Sequence, residues 1–182
     1  MHHAIVVTIL ALSLLLPAAG WSQSAHPGHG QHPGGPLPYT GQESRAIKAL
    51  PDEDVQQLLA GAGMGFAKAA ELNHYPGPRH VLDLAPQLGL SEAQLAQTQA
   101  VFESMRARAA ALGAAIVALE RELDAGFAAS HMDAAALSRL TAEIARLQGQ
   151  LRATHLQAHL AVRRLLSAQQ VSAYDRLRGY AP

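Results

Sequence analysis

The sequence predicts an all-α protein, a long antiparallel helical hairpin with short flanking helices. Three observations carry that prediction. First, Leu95, Phe102, Ala109, Ile116 and Leu123 recur every seven residues, with Thr98, Met105, Leu112 and Leu119 three positions after the first four, so one helix carries a heptad seam. Second, the same spacing resumes after a break over 124–133, in Leu137, Ile144, Leu151, Ala158 and Leu165, with Leu140, Leu147, Thr154 and Ala161 between them. A break that short returns the second helix antiparallel to the first. Third, Ser91 with Gln94 and Ser167 with Gln170 have the spacing of capping boxes, in which a hydroxyl accepts the amide three residues on and the glutamine side chain reaches back. Leu90 and Leu166 precede the two serines and are placed to staple the helix entries.

Residues 1–24 read as a cleavable secretory signal. The apolar run Ala4 to Leu16 is followed by Pro17 and the small residues Ala18, Ala19 and Gly20. That run is shorter than the roughly 20 residues needed to span a bilayer. His2 and His3 occupy the place where Lys or Arg normally stands in such a leader. No later segment is apolar and long enough to cross a membrane, so the mature chain is expected to carry no transmembrane segment. Residues 25–45 are rich in His, Gly and Pro with almost nothing apolar to bury, which predicts a disordered segment carrying His26, His29 and His32. The remaining span, 46–182, is the expected helical domain.

Within that domain, Leu50 to Ala60 reads as a short helix, with Pro51 at its first turn and Asp52, Glu53 and Asp54 where the helix dipole favours negative charge. Gly61 ends it. Gly61, Gly63 and Gly65 have glycine-loop spacing but follow a helix and lack a Walker lysine, so they predict a flexible turn. Phe66 to Leu72 and Arg79 to Leu88 are further short helical candidates, separated by the breaker Asn73-His74-Tyr75-Pro76-Gly77-Pro78, and Pro86 should end or kink the second. A last short helix is expected from Ser167 to about Arg178.

Composition narrows the function. The chain has no cysteine, which removes disulfides, thiolate metal sites and cysteine nucleophiles together. Lys and Arg total 14, matched by 14 Asp and Glu, so no global charge favours nucleic acid. The charge is nevertheless divided: 43–124 holds 7 basic and 11 acidic residues, whereas 133–182 holds 7 basic and 3 acidic. Attraction between the two halves of a hairpin or an antiparallel dimer accounts for this, and a basic client-binding surface is the other reading. No Gly-x-Ser-x-Gly elbow is present and the carboxylates are spread around helix faces, so an enzyme is not expected.

The two boxes, LSEAQ at Leu90 to Gln94 and LSAQQ at Leu166 to Gln170, flank one helical hairpin behind an export signal. In this the chain resembles the LTxxQ family of periplasmic proteins, the Spy and CpxP type chaperones and their heavy-metal-responsive relatives. Serine replaces the threonine of the family motif in both copies and keeps the capping hydroxyl. The resemblance covers roughly 84–180. It implies a cradle-shaped antiparallel homodimer in the periplasm of a Gram-negative cell, induced by envelope or metal stress. Family members bind unfolded envelope proteins without ATP, act on a sensor or regulator protein, or bind zinc, copper or nickel.

Two sets of residues are candidates for binding. His155 and His159 lie four apart on one helical face, where two imidazoles can converge on a single divalent metal. They stand off the heptad seam, beside a second apolar strip of Leu156 and Leu160, which predicts cover by another segment or subunit rather than a place in the hairpin core. Further ligands would have to come from Glu71, His74, His80, Asp83 or the tail histidines His26, His29 and His32. No cofactor is required by the pattern; zinc, copper and nickel are the metals that suit it. Arg139, Arg146, Arg152, Arg163 and Arg164 form the second set, a basic rim beside alanine-rich flanks that would hold acidic, partly unfolded clients.

Overall fold

The structure, a computed structural model, describes residues 39–180. They form seven helices: α1 (Asp52–Ala60), α2 (Lys68–Glu71), α3 (Pro78–Asp83), α4 (Ala85–Leu88), α5 (Glu92–Ala128), α6 (Ala134–Leu165) and α7 (Ala168–Leu177). Among the described residues there is no strand, only an isolated bridge between Ile47 and Leu50. The expected signal segment and the histidines at 26, 29 and 32 lie outside the described residues.

The frame is the α5–α6 hairpin. Asp133 caps the return helix by accepting the Ala136 amide at 2.7 Å, and Ser130, at φ 56°, makes the left-handed step that the tight tip requires. The first helix runs four residues past Asp124, to Ala128, and carries Gly126 within its last turn. Ala109, Ile116, Leu140, Ile144, Leu147, Leu151 and Ala158 of the seams are buried, as expected. The seam frays at both helix starts, where Leu95 and Leu137 remain exposed.

One face of this hairpin is covered by the chain before it. Helix α1 lies against α5 through Val55 and Leu58, which join Ile47, Ala109, Ile116, Val117, Leu147 and Leu151 in one apolar cluster. The approach is closer than side chains normally permit. A Cβ on Gly113 would sit 2.1 Å from the Leu58 carbonyl oxygen, and one on Gly61 would sit 2.5 Å from the Arg106 carbonyl oxygen. Gly61 is therefore a buried contact residue with φ 66°, closing α1 in a Schellman motif with Ala62 donating to the Gln57 carbonyl, and not the flexible turn its spacing suggested. Past it the chain forms a strap of α2, α3 and α4. The expected helix over 79–88 divides at Leu84, because Pro86 supplies no amide to continue the ladder, and Pro78 instead opens α3.

Near the base of the hairpin Val81, Leu88, Val162, Leu166, Val171 and Tyr174 form a second apolar cluster. Both capping boxes are complete. They are also joined to each other. The Gln94 carboxamide accepts from the Ser91 amide at 3.0 Å while its nitrogen donates to the Leu165 carbonyl at 2.7 Å, at the end of α6. Gln170 accepts from Ser167 at 2.9 Å and donates to the Leu88 carbonyl at 3.3 Å, at the end of α4. The two carboxamides lie against each other at 2.9 and 3.1 Å. Each glutamine thus caps the start of its own helix and the end of another, satisfying backbone groups that helix termini otherwise leave open.

Candidate functional site

The strap brings together side chains that are far apart in sequence. Glu71, at the end of α2, is the centre of the arrangement. Its Oε1 accepts from the hydroxyls of Tyr174 and, at 3.1 Å, Tyr180, while its Oε2 accepts from the Gly77 amide at 3.1 Å. His80 Nδ1 lies 3.3 Å and Arg178 Nε 3.6 Å from Oε1. Arg178 also donates to the Tyr180 hydroxyl at 3.0 Å. A carboxylate this enclosed is tolerated because donors surround both oxygens. Burial and the Glu71 carboxylate push the Tyr174 phenol far above its ordinary value, so it remains a donor.

A second clasp lies a turn away, where His74 Nδ1 donates to Asp175 Oδ2 at 2.8 Å. His74 holds φ 66°, a left-handed conformation costly for a residue with a Cβ, and it sits at the bend the Tyr75-Pro76-Gly77-Pro78 run imposes. These two anchors, Glu71 and Asp175, fasten the strap to α7.

Beneath the strap lie His155 and His159, 3 % and 8 % exposed. Cover by another segment is as the sequence implied, but the depth of burial is not: the strap makes a core out of positions that face solvent in an uncovered hairpin. The cover falls on the histidine side, and leaves Leu160 exposed. The two imidazoles differ. His159 Nδ1 lies 2.7 Å from the Tyr75 carbonyl, which can only accept, so Nδ1 donates to it. His155 stacks under Phe66, with ring centroids 5.7 Å apart, and its buried Nε2 has no hydrogen-bond partner. Burial first, and the neighbouring His159 second, hold the His155 imidazole below the ordinary histidine value of 6.5, which keeps it neutral.

Both histidines line a cavity of about 570 Å³ walled by Gly61, Gly77, His80, Phe102, Met105 and Arg106, among others. Gly77 keeps space open at His159: a Cβ there would stand 3.1 Å from Nε2. No aspartate or glutamate lines this cavity, although Glu71 Oε2 stands 3.7 Å from His159 Nδ1. Among the described residues no group of three His, Asp or Glu side chains is placed to hold one metal ion. Of the further ligands considered from sequence, His80 reaches the cavity; His74 and Glu71 are engaged in the clasps, and Asp83 pairs with Arg79 at 3.1 Å.

The candidate arginines divide. Arg139 pairs with Glu122 at 2.7 Å, linking α6 to α5, whereas Arg146 pairs with Glu143 within α6. Arg152 and Arg164 are exposed and Arg163 half-buried, and none of the three forms an ion pair among the described residues. Sequence reasoning missed Tyr174, Asp175, Arg178, Tyr180 and Gly77. The one signal for the first four was the density of polar and aromatic residues in YDRLRGY, and nothing in the sequence marked Gly77. No helix among the described residues is long and apolar enough to cross a membrane. Comparison with family models, curated proteins and solved structures returned no match.

Proposed function

We propose that this chain is a periplasmic stress-response binding protein of the Spy and CpxP type, an ATP-independent chaperone that holds partly unfolded clients. The observation that carries the reading is the asymmetry of the hairpin. One face is covered by α1 and the strap, while α5 and α6 alone line a groove of about 410 Å³ that includes Ala100, Val101, Ser104, Met105, Arg108 and Ala158. A floor of small apolar side chains beside the Arg108 guanidinium suits weak, reversible contact with acidic unfolded segments. The interlocked boxes support it further, since they hold the base of the hairpin without occupying this face.

The mature protein is expected to suppress aggregation of a denatured client at near-stoichiometric ratios, and Arg108→Glu with Arg152→Glu is expected to weaken that suppression for an acidic client. No suppression over a tenfold range of ratios sinks the proposal. The competing reading is a metal-binding sensor or sequestering protein in metal resistance. It is favoured by one specific observation, the buried imidazole pair under the strap, and metal titration of a protein that fails the client assay would promote it.

A further inference from the structure

We propose that the cavity beneath the strap binds a small aromatic carboxylate, with Arg79 and Arg106 as partners of the carboxylate and Phe102, Met105, His155 and His159 around its ring. The inference goes beyond client binding and does not depend on it.

The walls come from four separate stretches of the chain: the turn after α1, the start of α3, and the faces of α5 and α6. The enclosed volume, about 570 Å³, falls within the roughly 300–1,000 Å³ of small-ligand sites. Charge sets the sign of the occupant. Two arginines line the cavity and no aspartate or glutamate does, so a cation would enter uncompensated and an anion is drawn in. Asp83 does reach Arg79, but both hydrogen bonds leave from Nε, at 3.1 and 3.2 Å, and the two terminal nitrogens of that guanidinium remain for a ligand. The Arg106 guanidinium makes no ion pair or hydrogen bond among the described residues. Its backbone is fixed by the docking of α1, since a Cβ on Gly61 would stand 2.5 Å from the Arg106 carbonyl oxygen. Behind the wall, Glu71 Oε2 lies 3.7 Å from His159 Nδ1, and its charge is already met by Arg178, two tyrosine hydroxyls and the Gly77 amide.

The rest of the lining selects the body of the ligand. The Arg79 guanidinium stands 6.0 Å from the Phe102 ring centroid, so a cation and an aromatic surface meet at one place. Met105 adds a polarisable sulfur and the imidazoles add flat faces, which suit a ring better than a flexible chain. His155 is 3 % exposed, lines the cavity, and has no hydrogen-bond partner at Nε2. A buried nitrogen left open is costly, and a ligand oxygen beside it removes the cost. His80 keeps Nδ1 on Glu71 at 3.3 Å, so only its Nε2 remains for a ligand.

The test is calorimetric titration of the full chain with naphthylacetate near neutral pH. Its neutral counterpart naphthylacetamide, the cation naphthylmethylamine and the aliphatic acid octanoate are titrated alongside. We expect a dissociation constant below about 1 mM for naphthylacetate, and binding at least about 10-fold weaker for each of the other three. Arg106→Gln, at an exposed position with no partner to lose, should weaken naphthylacetate about 10-fold. Arg164→Gln, outside the cavity, should leave it unchanged. The imidazole nitrogen resonances of His155 and His159 should move with naphthylacetate in the unsubstituted protein, a readout that needs no variant to fold. A dissociation constant above about 1 mM, equal binding of the amide or the amine, no response at either imidazole, or an Arg164→Gln effect as large as that of Arg106→Gln overturns the assignment. Octanoate binding as tightly as naphthylacetate overturns the aromatic body.

Discussion

The two halves of α6 follow one heptad pattern and use it differently. From Leu140 to Leu151 only the seam is buried, and it meets the apolar residues of α5 and α1. From Thr154 to Val162 the buried stripe widens to take in His155 and His159, because the strap lies over positions that the first half gives to solvent. The first half is held by area and close packing. The second adds hydrogen bonding with the strap to the apolar packing of Val162. Burying a large aliphatic side chain contributes about 1.5–3 kcal/mol wherever it packs, whereas a buried polar group contributes little and costs much if its partner is lost.

This contrast is broken most severely at the apolar half. Gly113→Ala drives a Cβ into the Leu58 carbonyl, and backbone cannot rotate away as a side chain can. A loss of about 3 kcal/mol is expected in urea unfolding. A loss below 1 kcal/mol, on the order of a surface change, would mean that α1 is loosely docked.

At the polar half, Glu71→Ala leaves Tyr174, Tyr180 and the Gly77 amide without their acceptor. The expected cost is about 2–3 kcal/mol, and proteolysis should shift to the strap, residues 62–88, while the hairpin remains protected. Uniform loss of protection would make the strap and hairpin one cooperative unit.

Gln94→Ala and Gln170→Ala are each expected to cost about 1 kcal/mol as capping losses. Because the carboxamides also touch, the double variant should cost less than the two singles together, by about 0.5 kcal/mol or more. Simple additivity would show that each box acts on its own helix.

The mildest test is pH. His155 is held below its ordinary value of 6.5, so the unfolded chain binds a proton at higher pH than the folded one. Its contribution to stability is fully present above about 6.5 and declines as pH falls below that, toward the depressed folded value. His155→Leu should therefore flatten the fall in the urea midpoint between pH 7.5 and 5.5. An identical slope in the variant would place the pH dependence elsewhere.

How much of this was legible beforehand depends on whether a feature is local. The two seams, both boxes, the division at Pro86 and the acidic start of α1 all follow from patterns within seven residues, over which one helix decides its own geometry. His155 and His159 were visible as a pair for the same reason. Glu71, Tyr174 and Gly77 were not legible as a group, since 103 positions separate the carboxylate from the Tyr174 hydroxyl and no periodicity links them. Gly61 was misread because a glycine demanded by close approach has the same letter as one that merely turns the chain.

By itself, then, the sequence determined an all-helical chain, where its long helices start, and which stripe of each faces the other. Those are short-range consequences of side-chain periodicity and of backbone groups that each terminus must satisfy. Only the tertiary structure decided that the two boxes interlock, that the hairpin is sealed on one face alone, and that two off-seam histidines become a buried pair. Each of those depends on where the strap lands, and that is set by the room at Gly61, Gly77 and Gly113 and by the partners waiting on α7.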